Sequence, residues 1–247
     1  MMKRYVKAVP LIGLALLVLV SSDASAQTVE EIIEASLEAS GGRAALDAIT
    51  SVRQTGALTI GTEFGDLEGD SEAVIIPNQK VYEALESDFF AQTSAWNGTS
   101  AWQSDSTQGL VDVEGEQAAV LAAQTLLHPF LAYGRPELLG PTEFRKLEDA
   151  DLGGRSHHVV LVSGAGVDFH VFVDAETQFI SQIQFDQGVP QLGTMTITAS
   201  TSDYQEHGGV MLPMSSTVDV PGVIEFEVRV TATEINGDVD HSIFEKP

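Results

Sequence analysis

Between residues 157 and 235 polar and apolar positions alternate through six successive segments, with turn residues between them and no window long enough for an amphipathic helix. The clearest segment is Ile224-Glu225-Phe226-Glu227-Val228-Arg229-Val230-Thr231. Its even positions are large and apolar and its odd ones are charged or polar, the period of a strand with one dry and one wet face. Val210, Leu212, Met214 and Val218 share a face just upstream, and Gly208-Gly209 before them reads as a hairpin turn. Short turns at Gly164-Ala165-Gly166, Asp174-Ala175-Glu176-Thr177, Gly188-Val189-Pro190 and Pro221-Gly222 make the six segments neighbours in an antiparallel meander.

The earlier part of the chain adds strands and breaks them with helices. Thr28-Val29-Glu30-Glu31 has the form of a capping box, and Ile32, Ile33, Leu37 and Ala39 follow at near-helical spacing up to a stop at Gly41-Gly42. From Val52 to Gly61 the period falls to two, and extended segments recur over residues 69–76, 80–86 and 89–96. Asn97-Gly98 carries the signature of a type I′ hairpin, with Trp96 and Trp102 flanking it. Residues 114–133 interrupt the strands. Residues 117–127 are rich in strong helix formers and apolar around most of the helix, and Pro129 forces a break. The total is ten or eleven strands and two or three helices. A flat sheet that wide is disfavoured, so the expectation is an α+β fold: a strongly curved, incomplete antiparallel β-barrel with helices covering its mouth.

Residues 1–26 read as a cleaved signal peptide: Lys3, Arg4 and Lys7 start it, residues 11–20 form its apolar run, and Ala24-Ser25-Ala26 ends it. Ten apolar residues fall short of the roughly 20 that span a bilayer. A single domain is expected over residues 27–247, in the periplasm, or outside the cell if the host lacks an outer membrane. With no cysteine, no disulfide can form and the core alone must hold the fold. Removing Lys3, Arg4, Lys7 and Asp23 takes the formal charge from -24 to -26, a field that repels nucleic acid and anionic lipid. The acidity suits either a well-solvated surface in a salty habitat or a docking face for a basic partner.

No catalytic centre is legible. The six histidines lack metal-ligand spacing, no Gly-x-Ser-x-Gly elbow or phosphate loop occurs, and the carboxylates are too many for any pair to stand out. The expectation is a non-enzymatic monomer without metal or cofactor. What stands out is apolar surplus: Phe89, Trp96, Trp102, Leu121, Leu127, Phe130, Leu131, Phe172 and Phe185 are the candidate walls of an apolar cavity, with residues 118–133 as its lid or plug. Two alternatives stay open: an envelope interaction module with a filled core, and a hydrolase with an unrecognised acid-base site.

Three patches carry a family resemblance. Gly41-Gly42 with Val52-Arg53-Gln54-Thr55-Gly56, then residues 203–213 with their Tyr-x-x-x-Gly-Gly-Val-x-Leu-Pro pattern, and finally Asn236, Asp240, Phe244 and Pro247, resemble the periplasmic outer-membrane lipoprotein-sorting superfamily. The resemblance implies an incomplete barrel enclosing an apolar cavity for acyl chains, a lipid-like ligand and an envelope or lipoprotein partner. The chain departs from the dedicated carriers in its greater length and stronger acidity.

Overall fold

A computed structural model of the protein describes residues 27–62, 65–164, 166–189 and 192–247, so the expected signal peptide lies outside the described residues. Helix α1 (Val29–Ala39) begins where the capping box places it: Thr28 Oγ1 accepts from the Glu31 N–H at 3.2 Å, and the Thr28 N–H donates to the Glu31 carboxylate at 2.9 Å. Its buried face carries Ile32, Ile33, Ser36 and Leu37. Three fully buried aliphatic side chains at about 1.5–3 kcal/mol each are enough to anchor a helix of three turns. The helix ends at Ser40, and Gly41-Gly42 turns the chain into the short α2 (Arg43–Asp47).

Strands β1 (Val52–Gly61), β2 (Leu67–Ile76), β3 (Lys80–Ser87), β4 (Ala91–Trp96), β5 (Ala101–Asp105) and β6 (Gly109–Val113) follow as a meander. Helices α3 (Gly115–Ala123) and α4 (Pro136–Leu139) then flank a 3-10 turn at Pro129–Ala132. The second half comprises β7 (Glu143–Lys146), β8 (Ala150–Leu152), β9 (Arg155–Gly164), β10 (Val167–Asp174), β11 (Ile180–Val189), β12 (Gly193–His207), β13 (Val210–Val220) and β14 (Ile224–Ile235). All pairings are antiparallel, in the order β6-β5-β4-β3-β2-β1-β14-β13-β12-β11-β10-β9-β7, with β8 also on β9.

The expected strongly curved, incomplete β-barrel of ten or eleven strands is therefore corrected. Fourteen strands form one open sheet, with β6 at one edge and β7 and β8 sharing β9 at the other. Sequence alternation undercounts because β5 to β8 are only three to five residues long, too short to show a period. Closure also needs its two edges to exchange hydrogen bonds, whereas β6 runs directly into α3.

The two faces of the sheet are packed differently. On the inner face, the cross-strand row Val52, Ile75, Val81, Trp96, Ala101 and Val113 runs from β1 to β6. The main core joins Val52 of this row to Val160, Val171, Ile180, Val210 and Leu212, all beneath α1 and the 3-10 turn. On the outer face, Val74, Ile76 and Tyr82 receive Phe244 of the C-terminal segment, which is fully buried. One departure from local expectation has a local cause. The Asn97-Gly98 turn is not type I′, which requires positive φ at both residues; only Gly98 has it. Instead the Asn97 side-chain oxygen accepts from the backbone N–H groups of Thr99 and Ser100, making a four-residue loop.

The β12–β13 turn is the expected one. Gly208 and Gly209 have φ of 62° and 87°, and a Cβ on Gly208 would stand 2.9 Å from Ile235 Cγ2. Gly208→Val combines a left-handed backbone with that clash, so it is expected to cost about 2 kcal/mol, on the order of 4–8 °C in thermal melting of a chain this size. An unchanged Tm would refute the strain.

Candidate ligand-binding face

The inner face is where the apolar residues singled out from sequence could converge, and the structure divides them. Leu127, Phe130 and Leu131 join the main core; Phe130 is fully buried, edge-on to Phe144 at 6.4 Å and 5.4 Å from the His128 ring. Phe185 shares the inner face with Phe169, its cross-strand partner, at 5.6 Å. Three strand positions from Phe169, Phe172 points to the outer face and is buried there. Trp96 lies half-buried in the inner row, whereas Trp102, paired with Ala95, faces outward and donates its indole N–H to the Phe244 carbonyl at 2.9 Å. Phe89 stands at a turn, 78% exposed. Leu121 is half-buried on α3.

Helix α3 is the unusual element. Ala118-Ala119-Val120-Leu121-Ala122-Ala123 is wholly apolar, yet no residue of the helix is buried. It touches β3 and β4 on one side and β10 on the other. The segment after it is tied down: Thr125 O accepts from the Asn78 N–H at 3.0 Å, and Leu126 and Leu127 enter the main core. Beneath this region the inner face also carries one acid, Glu83, opposite Ala73 and Ser94, and burial pushes its carboxyl up.

His128 locks the core to α1. Its Nδ1 accepts from the Phe130 N–H, so Nε2 carries the proton and donates to Ser36 Oγ at 3.2 Å. Burial, with the Arg43 guanidinium adding to it, lowers its pKa to about 3. A second buried polar cluster closes the β10–β11 turn. Asp174 accepts from the backbone N–H groups of Glu176 and Thr177 at 2.9 Å and meets Arg155 at 2.8 Å and His157 at 3.7 Å. Burial raises the Asp174 carboxyl, but those backbone donors and Arg155 outweigh it and hold it below the usual carboxylate range. These contacts account for both clusters as framework. Among the described residues no group of three or more His, Cys, Asp or Glu could hold a metal ion.

Two neighbouring clefts open at the end of β9 to β12 away from α1. One of about 480 Å³ is lined by Glu116, Val167, Asp168, His170, Phe185 and Asp186 among others. The other, about 530 Å³, shares Val167 and Asp168 and adds Pro141, Thr142 and Ser163. Their walls mix carboxylates with apolar groups.

Solved structures share this arrangement. A LolA superfamily protein from Nitrosomonas europaea superposes with a TM-score of 0.58 at 13% identity, over 90% of this chain and 99% of that one. The chain has a LolA-superfamily fold. A DUF1329 family protein from Desulfovibrio piger matches at TM-score 0.57 and 8% identity, over 89% of this chain and 98% of that one. A domain named for outer membrane lipoprotein sorting, from Vibrio parahaemolyticus, matches at 0.53 and 11%, over 88% and 97%. No family model and no curated protein matches the sequence. At these identities the likeness to LolA proteins is one of fold.

Sequence reading passed over Phe144, which packs on the main core, and Tyr82, which packs on Phe244. Each sits in a short or half-polar strand, so only cross-strand register reveals its neighbours. The His128 lock makes a testable claim. Because the folded-state pKa lies below the unfolded value of about 6.5, the contribution of neutral His128 is fully present above that value. It is lost as pH falls from about 6.5 toward 3, at up to about 1.4 kcal/mol per pH unit. Urea unfolding between pH 6.5 and 5 should show this slope, and His128→Gln should flatten it; equal slopes in both proteins would reject the assignment.

Proposed function

We propose that the protein is a non-catalytic carrier of the cell envelope, residues 27–247 acting as one domain that holds an apolar or lipid-like ligand between α3 and the inner face of the sheet. The observation that carries this reading is α3 itself. Six consecutive apolar residues with none buried leave hydrophobic surface that a ligand would cover, and covering it is favourable by about 25 cal/mol per Å². The LolA fold supports the envelope setting, as does a leader of the secretory type. Within this reading Leu121, Trp96 and Phe185 are contact residues, and Leu127, Phe130 and Leu131 anchor the lid to the core.

The filled-core alternative draws on one observation of its own: Leu127, Phe130 and Leu131, first candidates for cavity walls, pack on α1 and the sheet. The two readings separate by experiment. Leu121→Asp should reduce retention of a fluorescent fatty acid at least tenfold while shifting Tm by only a few degrees, whereas Leu127→Asp should lower Tm sharply. Protein from the native host should carry co-purifying lipid in native mass spectrometry. No bound lipid together with no fatty-acid binding would favour the filled module.

A further inference from the structure

Six hairpins close at the end of the sheet opposite α1, and they follow one another along it: β5–β6, β3–β4, β1–β2, β13–β14, β11–β12 and β9–β10. The large apolar side chains exposed among the described residues are Leu110, Phe89, Val223 and Leu192, at 40%, 78%, 49% and 59% exposure. All four belong to these hairpins, one each in β5–β6, β3–β4, β13–β14 and β11–β12. Turns at the other end, which hold Pro77, Asn97, Ala175 and Gly208, show none among the described residues. Single exposed apolar residues need no explanation, but four at one end, in two pairs of adjacent hairpins on either side of β1–β2, form a contact surface.

Exposed acids occur at both ends of the sheet, but cations do not. Asp66, Glu68, Asp88, Asp168, Asp186 and Glu225 stand exposed in or beside these turns. Nine of the chain's Lys and Arg residues lie beyond residue 26, and none falls between the paired strands at this end. Arg43, Lys80, Arg135 and Arg155 gather at the α1 end instead, each paired with a carboxylate. An apolar rim set among carboxylates repels a second copy of itself and the anionic surface of a bilayer. It complements an apolar patch bordered by cations.

We propose that this rim is a docking surface for a protein partner whose apolar patch is bordered by lysine and arginine side chains. Hairpin tips of this kind would seat their apolar ends on that patch while the surrounding acids steer the approach and fix its orientation. The inference does not rest on a ligand under α3, although Asp168 and Asp186 of the rim line a cleft together with Phe185 and with Glu116 of α3.

The test uses an 18-residue amphipathic Leu/Lys helix as probe, with a Leu/Glu helix of the same apolar face and vesicles of phosphatidylcholine and of phosphatidylglycerol as alternatives. The whole protein should bind the Leu/Lys probe, more weakly as salt rises, and should bind neither the Leu/Glu helix nor either vesicle. The triple variant Phe89→Ser, Leu192→Ser, Val223→Ser alters only exposed tips, so it should keep the wild-type Tm and lose at least tenfold in affinity. Asp66→Asn, Asp88→Asn, Glu225→Gln should weaken binding and flatten its salt dependence. Equal binding by wild type and the serine variant would reduce the effect to net charge and overturn the proposal. Tighter binding to vesicles than to the probe would assign the rim to a lipid surface, and rim-dependent dimerisation would assign it to a second copy; either result overturns it too. Fatty-acid retention measured on the serine variant keeps this outcome separate from that of the carrier reading.

Discussion

Everything in the molecule hangs on the pairing of the first strand with the last. β1 and β14 are joined over ten register pairs, from Val52 with Ile235 to Gly61 with Glu225, and this seam turns two meanders into one sheet. A shift between Thr55 and Gly56 marks a bulge, and Gly56 is required there: a Cβ would meet Arg229 O at 2.5 Å. The seam is locked where β14 ends. Asn236, at φ 58°, accepts from the Thr50 N–H at 2.6 Å and donates its own N–H to Ser51 O at 2.9 Å. The Asn236 of the family-like terminal patch is thus a structural latch. Joining segments some 180 residues apart carries a loop-closure cost that only the assembled core offsets.

From that seam the two faces take separate roles. The inner face beneath α1 is a filled core, fixed by Ile32, Ile33 and Leu37 from above and by His128 bonded to Ser36. The outer face is closed by the C-terminal segment, where Phe244 is buried, Lys80 lies over its ring at 5.3 Å, and Lys246 pairs with Asp112 of β6. With both α1 and the C-terminal segment committed to packing, α3 is the longer of the two helices that have no buried residue. That is why the functional reading falls on it rather than on the larger aromatic residues.

The same logic separates framework chemistry from available chemistry. Buried Asp174 and His157 with the exposed Arg155 form a constellation that resembles a reactive site, but Asp174 spends its acceptors on the backbone of its own turn. Tyr204 likewise donates to Ile180 O at 2.7 Å and stacks on Phe179 at 4.3 Å, sealing a strand junction. At the far rim Glu68 and Asp186 accept from the hydroxyls of Thr59 and Thr196, whereas Leu110, Phe89, Val223 and Leu192 stand exposed.

The α1 capping box, the glycine stop after it, the period-two segments from Val52 onward and the Gly208-Gly209 turn were all legible, because each depends on neighbours a few residues away. The apolar character of residues 118–123 was legible for the same reason. Strand number and sheet closure were not, since three-residue strands have no period and edges pair only in three dimensions. Nor were the separate fates of Trp96 and Trp102, or of Phe172 and Phe185: one register position moves a side chain through the sheet. Local sequence determined what each segment is, while tertiary pairing decided which face each side chain joins, because burial is a property of the assembled sheet and not of the strand.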